Sequence, residues 1–337
     1  MTRYRLAIRA HLVPKLGHHR LDRLQPEHLE VAYLELVGFG LAASTVLYAH
    51  RVLSQALSVA VRRGTLARNV ASLVDPPRGR TAEVEALSLA EARAVLMAAE
   101  GQRNGARWSV GLALGLRQGE ALGLSWERSV DLDAGDLVVG QALQRVAYRH
   151  GCRQTCGSRA ASCPARELDL PVGFAVIRRL HGGLVLVEPK SEAGKRTVAL
   201  PAPLVDALRA HRQVQLEERL KAGSMWEGHN LVFCQPNGRP IDPRRDWGAW
   251  KALGAAAGVR ASRVHDARHT AATLLLVQGV GPRVVMEIMG WSDQRMLLRY
   301  QHVVDELRRD AAERVGSALW GGMATTVAPS GAASRGR

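Results

Sequence analysis

With 337 residues, 47% of them hydrophobic, the chain is long enough for two cores of ordinary size. Lys and Arg outnumber Asp and Glu by 46 to 31, and the resulting net charge of +15 is spread along the whole length, a field that draws polyanions, nucleic acid before acidic lipid. No apolar run approaches the roughly 20 residues that cross a bilayer, and the opening MTRYRLAIRAHL lacks the apolar heart of a secretion signal, so a cytosolic setting is expected.

Up to about residue 75 the pattern is helical. LQPEHLEVAYLELV starts near a proline and repeats apolar residues at Leu29, Ala32, Tyr33 and Leu36, three and four apart. After the break GFGLAAS, a second helix carries Val46, Leu53, Leu57 and Val61 on one side and stops at RRG. Adjacent prolines in VDPPRGRTAEVEA mark a linker, placed at 79–86, between a helical domain (1–78) and a second domain (87–320). The second domain opens with a capping box, Ser88 to Glu91, and continues into the helix ARWSVGLALGL. SVDLDAGDLVVGQALQRVAY reads as two strands around a turn, and LVLVEPKSEAGKRTVALP as a hairpin with SEAG at its tip. The remainder is mainly helical, and the small, polar tail 321–337 is expected to be disordered. The fold class is therefore mainly α with a small β-sheet in the second domain, an α+β arrangement.

Two common routes to phosphate chemistry find no support. A two-metal centre needs converging carboxylates, and the one cluster, Asp131, Asp133 and Asp136, sits in DLDAGD, where Asp and Gly serve turn geometry. There is no glycine-rich phosphate loop ending in Lys-Ser or Lys-Thr, so ATP is not implied. Metal-free attack on phosphate needs a nucleophile, cations that neutralise the transition state, and an acid for the leaving oxygen. Arg117 begins RQGEALGL with Glu120 three residues on, within reach to hold its guanidinium, and Arg268 lies in HDARHT between His265 and His269. Tyr300, in MLLRYQHVV, is a candidate nucleophile. Taken singly, each arginine reads as a solvated charge, each histidine as structural and the tyrosine as packing.

In order along the chain, GLALGLRQGEALGLSW, EPKSEAGKRTVALP, VHDARHTAATLLL and IMGWSDQRMLLRYQHV resemble the tyrosine recombinase (phage integrase) family, most closely the integrases of actinobacterial phages and integrative elements. The resemblance spans about residues 3 to 320. It implies a helical, SAM-like core-binding domain before a catalytic domain, and a site-specific recombinase or integrase that cuts and rejoins DNA through a 3′-phosphotyrosine without ATP or catalytic metal. It implies that Arg117 and Arg268 clamp the scissile phosphate, Lys190 protonates the departing 5′-oxygen (Lys195 being its rival), His265 assists proton transfer, and Tyr300 attacks. Trp291 falls where most members carry histidine and some tryptophan, and Glu120 and His269 become supports. His50, Arg51, Arg62, Arg63 and Arg68 become candidate DNA contacts. Double-stranded DNA and a homotetramer on two duplexes are the implied partners, with no membrane, and the bacterial cytosol or nucleoid is the implied place. Members of this type usually carry a further N-terminal arm-binding domain, so the first domain is expected to be N-terminally shortened. The alternatives are a relaxing topoisomerase of the same chemistry and a catalytically lapsed DNA-binding remnant or accessory protein of a mobile element.

The insertion HGCRQTCGSRAASCP, within 150–165, stands apart. Its His150, Cys152, Cys156 and Cys163 are candidates for a structural Zn²⁺ knuckle, with a loop of free thiols as the alternative.

Overall fold

A computed structural model describes residues 3–77, 86–189, 191–300, 309 and 312–319. Among these, the residues before position 84 group with Ala147–Asp169 into one compact unit, and the others form a second. No helix among the described residues is long and apolar enough to cross a membrane.

The first unit has three main helices. Helix α1 (3–16) carries a wider π-helical stretch over Ala7–Leu12. Helix α2 (Pro26–Gly38) starts at the proline, where a missing N–H costs nothing, and its 29/32/33/36 stripe is buried as the spacing predicts. Helix α3 (Ala43–Arg62) buries Val46, Ala49, Val52 and Leu57 in the same core. The hydroxyl of buried Tyr33 meets Nδ1 of His50 at 3.0 Å, tying α2 to α3. Beyond α3, Asn69 donates to Ser58 Oγ at 2.9 Å and accepts from the Ala71 backbone at 3.0 Å, which fixes the turn Val70–Leu73. The inserted segment adds a two-stranded antiparallel hairpin, Tyr148–His150 against Arg166–Leu168, and Arg5 reaches Asp169 at 3.7 Å.

In the second unit, α4 (Leu89–Ala99) begins at the predicted capping box: Glu91 accepts from the Ser88 backbone at 2.7 Å, and Ser88 Oγ accepts from the Glu91 backbone at 3.1 Å. Then come α5 (Ala106–Leu114), α6 (Gln118–Leu122), β1 (Val130–Asp131), β2 (Asp136–Val139), β3 (Ala142–Arg145), β4 (Val176–Arg179), β5 (Leu184–Val187) and β6 (Arg196–Ala199). Four helices follow, α7 (Ala202–Ala222), α8 (Pro243–Ala256), α9 (Val264–Val277) and α10 (Pro282–Met289), before a 3₁₀ turn Gln294–Tyr300. The DLDAGD reading holds: Asp131 Oδ1 accepts from the backbones of Asp133 and Ala134, and Gly135 takes φ +70°.

The hairpin expected in LVLVEPKSEAGKRTVALP does not form. The strands pair as β1–β2–β6 and β3–β5–β4, all antiparallel, so β5 and β6 lie in different sheets. Strand β5 is a central strand: all four residues are buried and both edges are taken, by β3 and β4, leaving no edge for β6. Strand β6 therefore belongs to the other sheet, where Arg196 lies beside α6 and α10.

The helices pack on these sheets in layers. Val110 and Leu114 of α5 share a core with Leu137, Val139, Val198 and Leu208, while Leu112 of the same helix packs with Trp250 and Ala267. Helix α5 is thus buried nearly all round, and its carboxyl end is held firmly where the site begins. A salt bridge between Arg107 and Asp246, 3.0 Å long with both side chains 2% exposed, pins α5 to α8, and Gln118 adds a 2.8 Å bond to the same carboxylate.

Candidate active site

Two helices end on the site. Helix α5 stops at Gly115 and α10 at Gly290, both left-handed, at φ +62° and +61°. Neither position has room for a side chain: a Cβ on Gly115 would lie 2.6 Å from Met289 Sδ, and one on Gly290 2.7 Å from the Ala193 carbonyl. The carbonyls of Gly115 and Met289 accept from Arg268 of α9, the first at 2.5 Å. A guanidinium that is 3% exposed is thereby held by the negative ends of two helices. Burial first, and then the like charge of Arg117, bring its pKa down to about 9, so it stays a cation at neutral pH.

Arg117 precedes α6 and is more open, its side chain 41% exposed, with Nη1 donating to Glu120 Oε1 at 2.6 Å. The other oxygen of Glu120 takes Nη2 of Arg196 at 3.0 Å, and Arg196 also donates to the Ile288 carbonyl at 2.6 Å and the Gly194 carbonyl at 3.1 Å. Burial alone would raise the Glu120 carboxyl; Arg196, followed by Arg117, outweighs it and holds the group below the usual carboxylate range. Arg196→Met should leave that buried carboxylate short of a partner and cost about 3–5 kcal/mol, read as a fall in the urea midpoint at unchanged slope. Nothing local in the sequence marks Arg196, an ordinary strand residue beside Lys195.

Tyr300, 4% exposed, closes the cluster. Its hydroxyl meets His269 Nδ1 at 2.6 Å, and its ring stacks on Trp291, centroids 5.6 Å apart and 25° between planes. Trp291 lies 5.8 Å from the Arg268 guanidinium carbon, and its buried indole N–H has no acceptor among the described residues. A buried donor left so is costly unless a ligand oxygen arrives. The histidine on the phenol is therefore His269. His265 stands edge-on to it, ring centroids 5.1 Å apart, and is pushed down to about 4, chiefly by the protein packed around its ring and then by His269, Arg268, Arg117 and Arg263. An NMR titration should find His265 neutral throughout the neutral range, and Arg117→Ala, by removing one of those charges, should move its midpoint upward.

Arg117, Glu120, His265, Arg268, His269, Trp291 and Tyr300 thus come together from four stretches of chain. Lys190 lies outside the described residues. Lys195 is paired with Glu188 and Glu192, each at 3.3 Å. Of the candidate DNA contacts, His50 is engaged by Tyr33, whereas Arg51, Arg62, Arg63 and Arg68 are exposed with no ion pair among the described residues. In the insertion, the ligand atoms of His150, Cys152, Cys156 and Cys163 all lie within 4.8 Å of one another.

The sequence profile of the phage integrase family matches residues 168–306. An integrase of Saccharopolyspora erythraea is 44% identical over 95% of this chain and 78% of its own length. The chain belongs to the phage integrase family. It is, by that membership, a tyrosine-type site-specific recombinase, as the order of its motifs implied. The fold agrees with solved members. The Tn1549 transposon integrase in complex with transposon right end DNA superposes with a TM-score of 0.68 at 19% identity, over 93% of this chain and 92% of that one. A lambda integrase dimer bound to a COC' core site gives 0.57 at 14% identity, over 88% and 86%. These likenesses bear out the α+β class.

Proposed function

We propose that this recombinase cuts and rejoins duplex DNA by moving a backbone phosphate onto Tyr300. The phenolic oxygen attacks phosphorus, its proton passing to the histidine bonded to it, while the bond to the 5′-oxygen breaks and that oxygen takes a proton from Lys190. A 3′-phosphotyrosine results, and the 5′-hydroxyl of a second strand reverses the exchange. Phosphorus–oxygen bonds are traded one for one, so the reading needs neither ATP nor a metal ion in the reaction. Arg117 and Arg268 neutralise the charge that builds on the phosphoryl oxygens, and the Trp291 N–H donates to one of them. The observation that carries the reading is the 2.6 Å contact of Tyr300 with His269 inside the buried cluster that also holds Arg268 and Trp291. His265, neutral at physiological pH, serves the same proton traffic from behind His269.

Residues 1–78 act in this reading as the core-binding domain and 87–320 as the catalytic one. On this reading the chain works as a homo-oligomer on DNA, a tetramer joining two duplexes, in the bacterial cytoplasm; lambda integrase, which shares the fold, is seen as a dimer bound to a core site and as a tetramer bound to a Holliday junction. The metal this chain holds is a structural one, Zn²⁺ on His150, Cys152, Cys156 and Cys163. The test is a suicide-substrate trap: incubation with nicked fragments of the host element and recovery of protein covalently joined to DNA 3′ ends. Intact protein binding those fragments with no adduct at any site would overturn the reading.

A further inference from the structure

We infer that residues 150–163, closed on Zn²⁺, form a knuckle that holds Arg153 and Arg159 outward as a two-pronged clamp on the phosphate backbone of duplex DNA; the inference rests on the metal reading above. Three pairs among the four ligand atoms stand close to the spacing the ion needs, and all four atoms lie within 4.8 Å of one another. Sulfur–sulfur separation is 3.4 Å between Cys163 and Cys152, and the His150 Nδ1 to sulfur separations are 3.7 Å to Cys152 and 3.5 Å to Cys156. A tetrahedral Zn²⁺ with bonds of about 2.3 Å to sulfur and about 2.0 Å to nitrogen needs edges of about 3.8 and 3.5 Å. All four cysteines of the chain are free.

The segment has little else to hold it. Between His150 and Cys163 the only apolar side chains other than cysteine are two alanines, and Cys163 alone is buried. Yet Arg153 and Gln154 are both left-handed, at φ +54° and +72°, an unfavourable state for residues with side chains unless the surroundings impose it. Bonds from one ion to the cysteines on either side of that turn supply such a constraint.

What the turn displays is cationic. No acidic residue lies between His150 and Arg166. Arg149 is paired with Glu167 at 2.8 Å, and Arg166 lies over the Tyr148 ring. Arg153 and Arg159 are exposed and have no ion pair among the described residues. Three thiolates, an imidazole and Zn²⁺ carry a single negative charge, which the two arginines exceed. Their forked donors suit phosphate oxygens, and they read no base.

The test uses the full chain. Mass spectrometry under native conditions should find one Zn²⁺ per chain, and Co²⁺ exchanged into it should show the visible bands of tetrahedral thiolate coordination. Metal-free protein, or a mass lower by two hydrogens with no metal, overturns the inference together with the metal reading. For the clamp, R153A/R159A is compared with the parent in binding a random duplex across a salt series. Each phosphate neutralised contributes about 0.9 to the slope of log K against log salt, so the slope should become shallower by about 1.8. A zinc-loaded variant with the parent's slope overturns the clamp and leaves the metal reading standing. Both arginines lie outside the catalytic cluster, so the suicide substrate should trap the variant as it traps the parent. Absence of any adduct in both would strike at the recombination reading alone.

Discussion

Tyr300→Phe is expected to abolish the covalent protein–DNA product, a loss on the order of 10⁴-fold or more, since nothing else in the cluster, among the described residues, offers a nucleophilic oxygen in the same place. DNA affinity should change little, because the phenol contributes no charge to a surface that binds mainly through phosphate. The substitution keeps the ring stacked on Trp291 and removes only the atom that meets His269. One lost hydrogen bond at a buried imidazole costs about 1 kcal/mol, too little to unfold a domain. Adduct on a denaturing gel and affinity by anisotropy, measured on one preparation, separate chemistry from binding. Adduct at the parent's level would remove Tyr300 from its role.

Arg268→Ala should follow closely, with single-turnover cleavage slowed about 10³–10⁵-fold, the range for removing an arginine that steadies a phosphoryl transition state. The folding effect is mixed in sign. The carbonyls of Gly115 and Met289 lose their donor, which destabilises, while the chain no longer keeps a cation out of water, which stabilises. Arg268→Lys separates charge from shape. A single ammonium cannot bond both carbonyls and also face a phosphate with a fork, so Lys should rescue part of the folding deficit and little of the rate. Equal rates for Lys and Arg would mean that Arg268 supplies only charge.

Legibility of the site followed distance along the chain. The Arg117–Glu120 pair is one helical turn, and a turn can be read in a string of letters. Arg196 joins the same carboxylate from 76 residues away, across a sheet crossing that looked like a simple hairpin, and no local pattern records such a meeting. His265 and His269 are four apart on one helix and chemically alike; which one touches the phenol depends on how the turn after Trp291 approaches that helix. The first-unit core was plain because Leu29, Ala32, Tyr33 and Leu36 repeat with the helix. The Arg107–Asp246 pair was not, since a buried charge has the same letter as an exposed one.

The two arginines of the site differ in how they are kept. Arg268 is sunk between two helix ends and cannot swing, whereas Arg117 is anchored on one side only and stands 41% open to solvent. A grip built this way has a buried jaw and an open one. On the proposed reading, incoming DNA would meet the open jaw first and seat against the buried one only once its backbone had shed hydration on that side. Capture and commitment then become separate events, and a duplex that fits poorly can leave between them.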